Sequence, residues 1–225
     1  MRRYVPLLFA LFGVLILQPI VSSLFGANIP LNLIIYVVLP TTIYAAGPGK
    51  SLITIAAALT LAVIVTRLAY RSSSSVKLLL LSHGLTFVLM AFIAGRIGYR
   101  VFRAREITAD IIVGAVCMYL VVGAAWAFFY FFLQVAAPGS MMALPIISSG
   151  SLAPEQLEQY RFWEMLYFSM SALSTMGFLS TEPLTQMARQ LSVIEAITGQ
   201  MYVAVLIARI VALSTAQVMK SPTAE

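Results

Sequence analysis

The stretch YFSMSALSTMGFLSTEP, from Tyr167 to Pro183, crowds serine and threonine hydroxyls around Gly177 between very apolar neighbours. Its chemistry is that of oxygen: hydroxyls and main-chain carbonyls, the groups that replace water around a cation. Residues 160–174 are predicted as a short helix. The unpaired carbonyls at the end of such a helix carry partial negative charge, which favours a positive ion. The chain beyond it can present a ladder of carbonyls if alternate residues adopt unusual dihedrals, and Gly177 supplies that freedom at one position. One such loop cannot encircle an ion, so the arrangement needs about four copies around an axis.

These residues need elements to hold them. Of 225 residues, 61% are hydrophobic and 10% charged, and the mean hydropathy is +0.96. A soluble domain of this size needs far more charge, so the class is integral membrane protein. Residues 4–49 and 111–154 contain no Asp, Glu, Lys, Arg or His, and each run is long enough for two helical crossings of about 20 residues. The expected fold is all-α, because helices satisfy their own backbone in lipid, and nothing alternates with the period of a barrel. Six transmembrane helices are predicted, over residues 5–25, 31–46, 51–70, 78–94, 107–134 and 191–213. The helix before Gly177 is too short to cross alone. It is predicted to be a re-entrant pore helix, followed by a filter loop, between the last two spans. Irregular backbone at that depth is tolerated only where it is buried in protein or lines water.

Four regions follow: a four-helix membrane domain over 1–95, a basic cytoplasmic linker over 96–105, a pore domain over 106–213 and a short cytoplasmic tail over 214–225. In the linker, Arg96, Arg100 and Arg103 share one helical face, suited to anionic lipid headgroups. The net charge of +6 comes from 14 Lys and Arg against 8 Asp and Glu. The basic residues flank apolar runs, which expresses membrane topology rather than nucleic-acid binding. Their balance puts both termini in the cytoplasm of a multi-pass protein of the plasma or bacterial inner membrane, with Arg67, Arg71 and Lys77 counting against. A single cysteine, Cys117, rules out a disulfide framework or a cysteine metal site within one chain.

The segments RAREIT, YFSMSALSTMGF and TEPLTQMARQLSVIEAITGQMYVAVLIARIVAL carry a likeness. From about Arg103 to Leu213 the chain resembles the helix–pore-loop–helix module of the tetrameric potassium-channel superfamily. It is most similar to bacterial ion-channel proteins with four helices ahead of the pore. The filter of that family reads Thr-Val-Gly-Tyr-Gly, usually followed by Asp. Thr175, Met176, Gly177 and Phe178 occupy its first four places. Leu179 stands where the family has its second glycine, and Ser180 where it has Asp. The resemblance implies a homotetrameric pore in membrane lipid, passing K⁺ or another monovalent cation at residues 175–179, with no enzymatic activity, cofactor or soluble ligand domain. Trp163, Ser171, Ser174, Ser180 and Glu195 are the expected pore support. A leucine in the fifth place disfavours the left-handed conformation by about 1–2 kcal/mol, which makes a non-conducting regulatory or structural subunit the alternative.

Three further residues have roles to assign. Glu195 lies inside the last predicted span, where an ionisable group requires a partner or water, and Ser171 and Ser174 are its expected partners. Gly199 is a candidate gating hinge or a packing glycine. His83 is expected to bond a neighbouring helix, since its own span holds no carboxylate. The fourth span lacks the arginine repeat of a voltage sensor.

Overall fold

A computed structural model describes residues 4–25, 50–73, 75–143, 154–177 and 181–220. The predicted span over 31–46 and the filter positions Phe178, Leu179 and Ser180 lie outside them. The described elements are α1 (Val5–Phe25), α2 (Lys50–Ser73), α3 (Val76–Arg103), α4 (Ala109–Ala136), β1 (Met141–Ala143), α5 (Pro154–Leu173), β2 (Thr181–Pro183) and α6 (Gln186–Lys220). Among the described residues four helical segments, rather than six, are long and apolar enough to cross a membrane: Ile53–Ser73, Val76–Arg103, Ala109–Ala136 and Gln186–Gln217. In α1 the apolar stretch is shorter, Val5–Leu17. The protein is therefore a multi-pass helical membrane protein.

Local chemistry sets the boundaries. Helix α2 ends at Ser73, inside the serine run after Arg71, and Ser75 precedes the start of α3, where turn-rich composition favours a break. Thr108 caps α4 by accepting a hydrogen bond from the Ile111 amide at 3.3 Å, and Asp110 stands in the first turn, where a negative charge suits the helix dipole. Asp110 also accepts from the Tyr4 amide at 3.2 Å, which docks the start of α1 onto the start of α4. The fourth predicted span continues beyond residue 94, because α3 runs on through the basic seam to Arg103. There Arg96 and Arg103 lie over the ring of Tyr99, and Arg103 donates to its hydroxyl.

Helix α4 is the hub. It contacts α1, α3, α5 and α6, while α2 packs on α3. Tyr130, Phe128 and Phe131 of α4 are buried with Phe162 and Phe168 of α5 and Leu89 and Ile93 of α3. By contrast, only 6% of the apolar window of α6 is buried within the chain. The all-α expectation needs one amendment. β1 and β2 pair antiparallel, with Met141 opposite Pro183 and Ala143 opposite Thr181. Three residues per strand are too few to show the period of two that marks a strand in sequence.

Candidate ion-conduction site

Helix α5 turns one buried stripe inward: Phe162, Leu166, Ser169 and Leu173, spaced i, i+4, i+7 and i+11 on one helical face. The polar member of that stripe meets Glu195 of α6. Ser169 Oγ donates to Glu195 Oε1 at 2.5 Å and lies 2.8 Å from the carbonyl oxygen of Gly123 in α4. Tyr130 of α4 donates to Glu195 Oε2 at 2.8 Å, with its ring edge-on to Phe168 at 5.1 Å. Glu195 is completely buried, and its carboxylate ties three helices together. Ser171 and Ser174, the expected partners, are not the ones it uses. Ser174 bonds the carbonyl of Met170 in its own helix, and Ser171 is buried with its hydroxyl unpartnered among the described residues.

The end of α5 is a tight reversal. The Met176 amide donates to the Ser171 carbonyl and the Thr175 amide to the Ala172 carbonyl, both at 3.0 Å. This is the paired bonding of a Schellman cap, whose left-handed position usually holds glycine. Thr175 occupies it with φ +56, and Gly177 follows with φ +74. A β-branched residue in this conformation is an outlier. The hydroxyl compensates, since Thr175 Oγ1 donates to the Ser174 carbonyl at 2.7 Å and accepts from Gln200 Nε2 of α6 at 2.8 Å. Thr175, Met176 and Gly177 are all exposed.

Gly199 lies against this end of α5. A Cβ there would collide with the Leu173 carbonyl, so the glycine allows the backbones of α5 and α6 to touch. Trp163 packs edge-on to Phe162 at 5.8 Å. Its indole nitrogen, like the buried Thr181 hydroxyl, has no partner among the described residues.

A second polar cluster sits near the start of α5. Glu158 Oε1 lies 3.2 Å from His83 Nε2 of α3 and 3.8 Å from Arg67 Nη1 of α2. Burial raises the Glu158 pKa, but the His83 hydrogen bond and the His83 and Arg67 charges outweigh this, and it falls below the usual carboxylate value. His83 is buried with its ring 4.2 Å from that of Phe131. It bonds a neighbouring helix as expected, and the carboxylate comes from α5. Sequence reasoning missed Ser169, Tyr130, Gln200 and Glu158. The apolar phase of α5, through Phe162, Leu166 and Leu173, carried the signal for Ser169.

Residues 107–216, covering α4 to α6, match the family model described as an ion channel. The second half of the chain belongs to the ion-channel superfamily. No curated protein and no solved structure matches the chain. The buried Glu195 network and the reversal at Thr175 both lie inside this ion-channel segment. Among the described residues no group of three or more His, Cys, Asp or Glu gathers as metal ligands would. The role is that of a channel or transport protein.

Proposed function

We propose that the chain forms a homotetrameric pore for passive monovalent cation transport across the cell membrane, with α5 as a re-entrant pore helix and residues 175–179 as a non-standard filter. The observation that carries this reading is the pair of left-handed residues, Thr175 and Gly177, at the C-terminal end of α5. Alternating backbone handedness redirects successive carbonyls, and strain of this kind concentrates at functional sites. The position of that end supports the reading. α5 meets α4 at Gly123 and α6 at Gly199. Each contact is 13 residues from a helix terminus, Ala136 or Gln186, or about 20 Å of helix. The chain then returns to β2, beside β1 just past the end of α4. The bare apolar face of α6 supplies surface for neighbouring copies. Both termini and the Arg96–Arg105 face are assigned to the cytoplasm by the basic-residue balance.

Reconstituted flux tests the proposal. Wild-type proteoliposomes are expected to show low or poorly selective cation flux, because Leu179 limits the number of consecutive ion sites. The double change Leu179→Gly with Ser180→Asp is expected to raise K⁺-selective flux. Strong K⁺ selectivity in the wild type would refute the role given to Leu179. An intact tetramer with no flux in either form would establish the non-conducting subunit instead. Only monomer in native mass spectrometry would remove the pore.

A further inference from the structure

A groove of about 590 Å³ lies between α3 and α4, outside the ion-channel site. Leu81, Gly84 and Val88 of α3 and Phe129 and Phe132 of α4 line it, and among the described residues Lys77 is the only charged group on its wall. Gly84 presents no side chain to the groove, and the Phe132 ring packs over it, 3.6 Å from where a Cβ would stand. From Lys77 to Val88 is 11 residues of helix, about 16 Å. One leaflet of hydrocarbon is about 15 Å, half of a core about 30 Å thick. Lys77 is the second residue of a 28-residue span, so it stands at the membrane edge and the apolar wall reaches the midplane. The end of α3 nearest Lys77 is electropositive too. Its first turn holds no acidic residue, and the capping residue Ser75 makes no side-chain cap bond, which leaves the helix dipole uncompensated there.

We infer that this groove binds one anionic phospholipid, with its acyl chain along Gly84 and its phosphate at Lys77. Charge complementarity selects the occupant: a groove one leaflet long, apolar throughout and closed by a single cation matches an anionic lipid. A transmembrane helix of a partner would continue past the midplane. The inference depends on the membrane location alone and stands whether or not the pore conducts.

The test is lipid retention by the full-length protein, moved from mixed vesicles into detergent and read by native mass spectrometry. Vesicles contain equal phosphatidylglycerol and phosphatidylcholine. Wild type is expected to retain phosphatidylglycerol about fivefold over phosphatidylcholine, the preference that one lysine near a charged surface supplies. Lys77→Gln is expected to abolish that preference while retaining lipid. Gly84→Leu is expected to reduce retention of both lipids severalfold, and Gly84→Ala, which meets Phe132 at ordinary contact distance, to leave it unchanged. Equal retention of the two lipids by wild type would overturn the inference, as would a preference that survives Lys77→Gln. Unchanged retention in Gly84→Leu would show that the lipid binds elsewhere and overturn it too. Lys77→Gln alone decides the matter if Gly84→Leu fails to fold.

Discussion

Helix α5 is held at each end by a carboxylate, and the two are held by different chemistry. Glu195 reaches its C-terminal half from α6, fully buried, with two hydroxyls as partners. Glu158 belongs to its N-terminal half and meets a histidine and an arginine from α3 and α2. Hydroxyls on packed helices fix position and respond little to solution conditions. A cluster of titratable groups is adjustable by protonation even when, as here, it is mostly buried. The difference shows how the two halves of the chain share one helix. The ion-channel half locks the end near Thr175 with hydroxyls, while the preceding helices hold the other end with a charge-based contact.

Several substitutions would break or sharpen this contrast. Glu195→Ala should have the largest effect, because it leaves the buried Tyr130 hydroxyl unpaired and Ser169 with only the Gly123 carbonyl. About 2–3 kcal/mol of stability should be lost, read from unfolding of the detergent-solubilised protein by tryptophan fluorescence. Glu195→Gln, which keeps an acceptor, should recover about half of that. Equal losses for the two would mean that the carboxylate acts through charge rather than geometry.

Glu158→Gln should cost less, about 1 kcal/mol at neutral pH, since the amide keeps a hydrogen-bond acceptor for His83 and loses only the charge facing Arg67. The pH dependence has a defined sign. The folded-state pKa of Glu158 lies below its usual value of 4.5, so its contribution is fully present above that value and disappears as pH falls through the lower one. The difference between wild type and Glu158→Gln should therefore close on acidification. A difference that widens instead would reverse the assignment of His83 and Arg67 as stabilising partners.

The smallest effect separates two neighbouring serines. Ser169→Ala should lose roughly 0.6 kcal/mol, the average for a hydrogen bond between membrane helices. Ser171→Ala, which removes a buried hydroxyl without a described partner, should be neutral or slightly stabilising. The opposite ranking would show that the phase of α5 has been misassigned.

Much of this organisation was legible in residues. A carboxylate inside an apolar run announces a buried partner, so a bonded Glu195 was legible from its position. Its partner did not, because three serines compete within six positions and only helical phase separates them. The contact of His83 with Glu158 joins residues 75 apart in sequence, and no local pattern encodes it. Gly177 advertised a left-handed backbone, and the structure adds Thr175, whose type argues against that conformation. The capping bonds and the Gln200 contact supply what its propensity lacks. The seam at Arg96 was legible as a helical face, and its continuity with the preceding span was not. A change in charge along the chain looked like a boundary between elements, yet α3 crosses it without a break.

The small β1–β2 clip sets a length limit on what lies between it and α5. Leu173 is held at the depth of Gly123, and Thr181 is paired beyond the end of α4. Eight peptide steps join them, and eight steps reach at most about 26–29 Å. Residues 174–177 are wound into the cap of α5, so only the last four of those steps, reaching at most about 13–14 Å, are free to lead to the clip. Lengthening the connection would be sterically cheap, but removing two residues would halve that reach, to about 7 Å. The clip and α5 would then compete for one strand of chain too short to serve both.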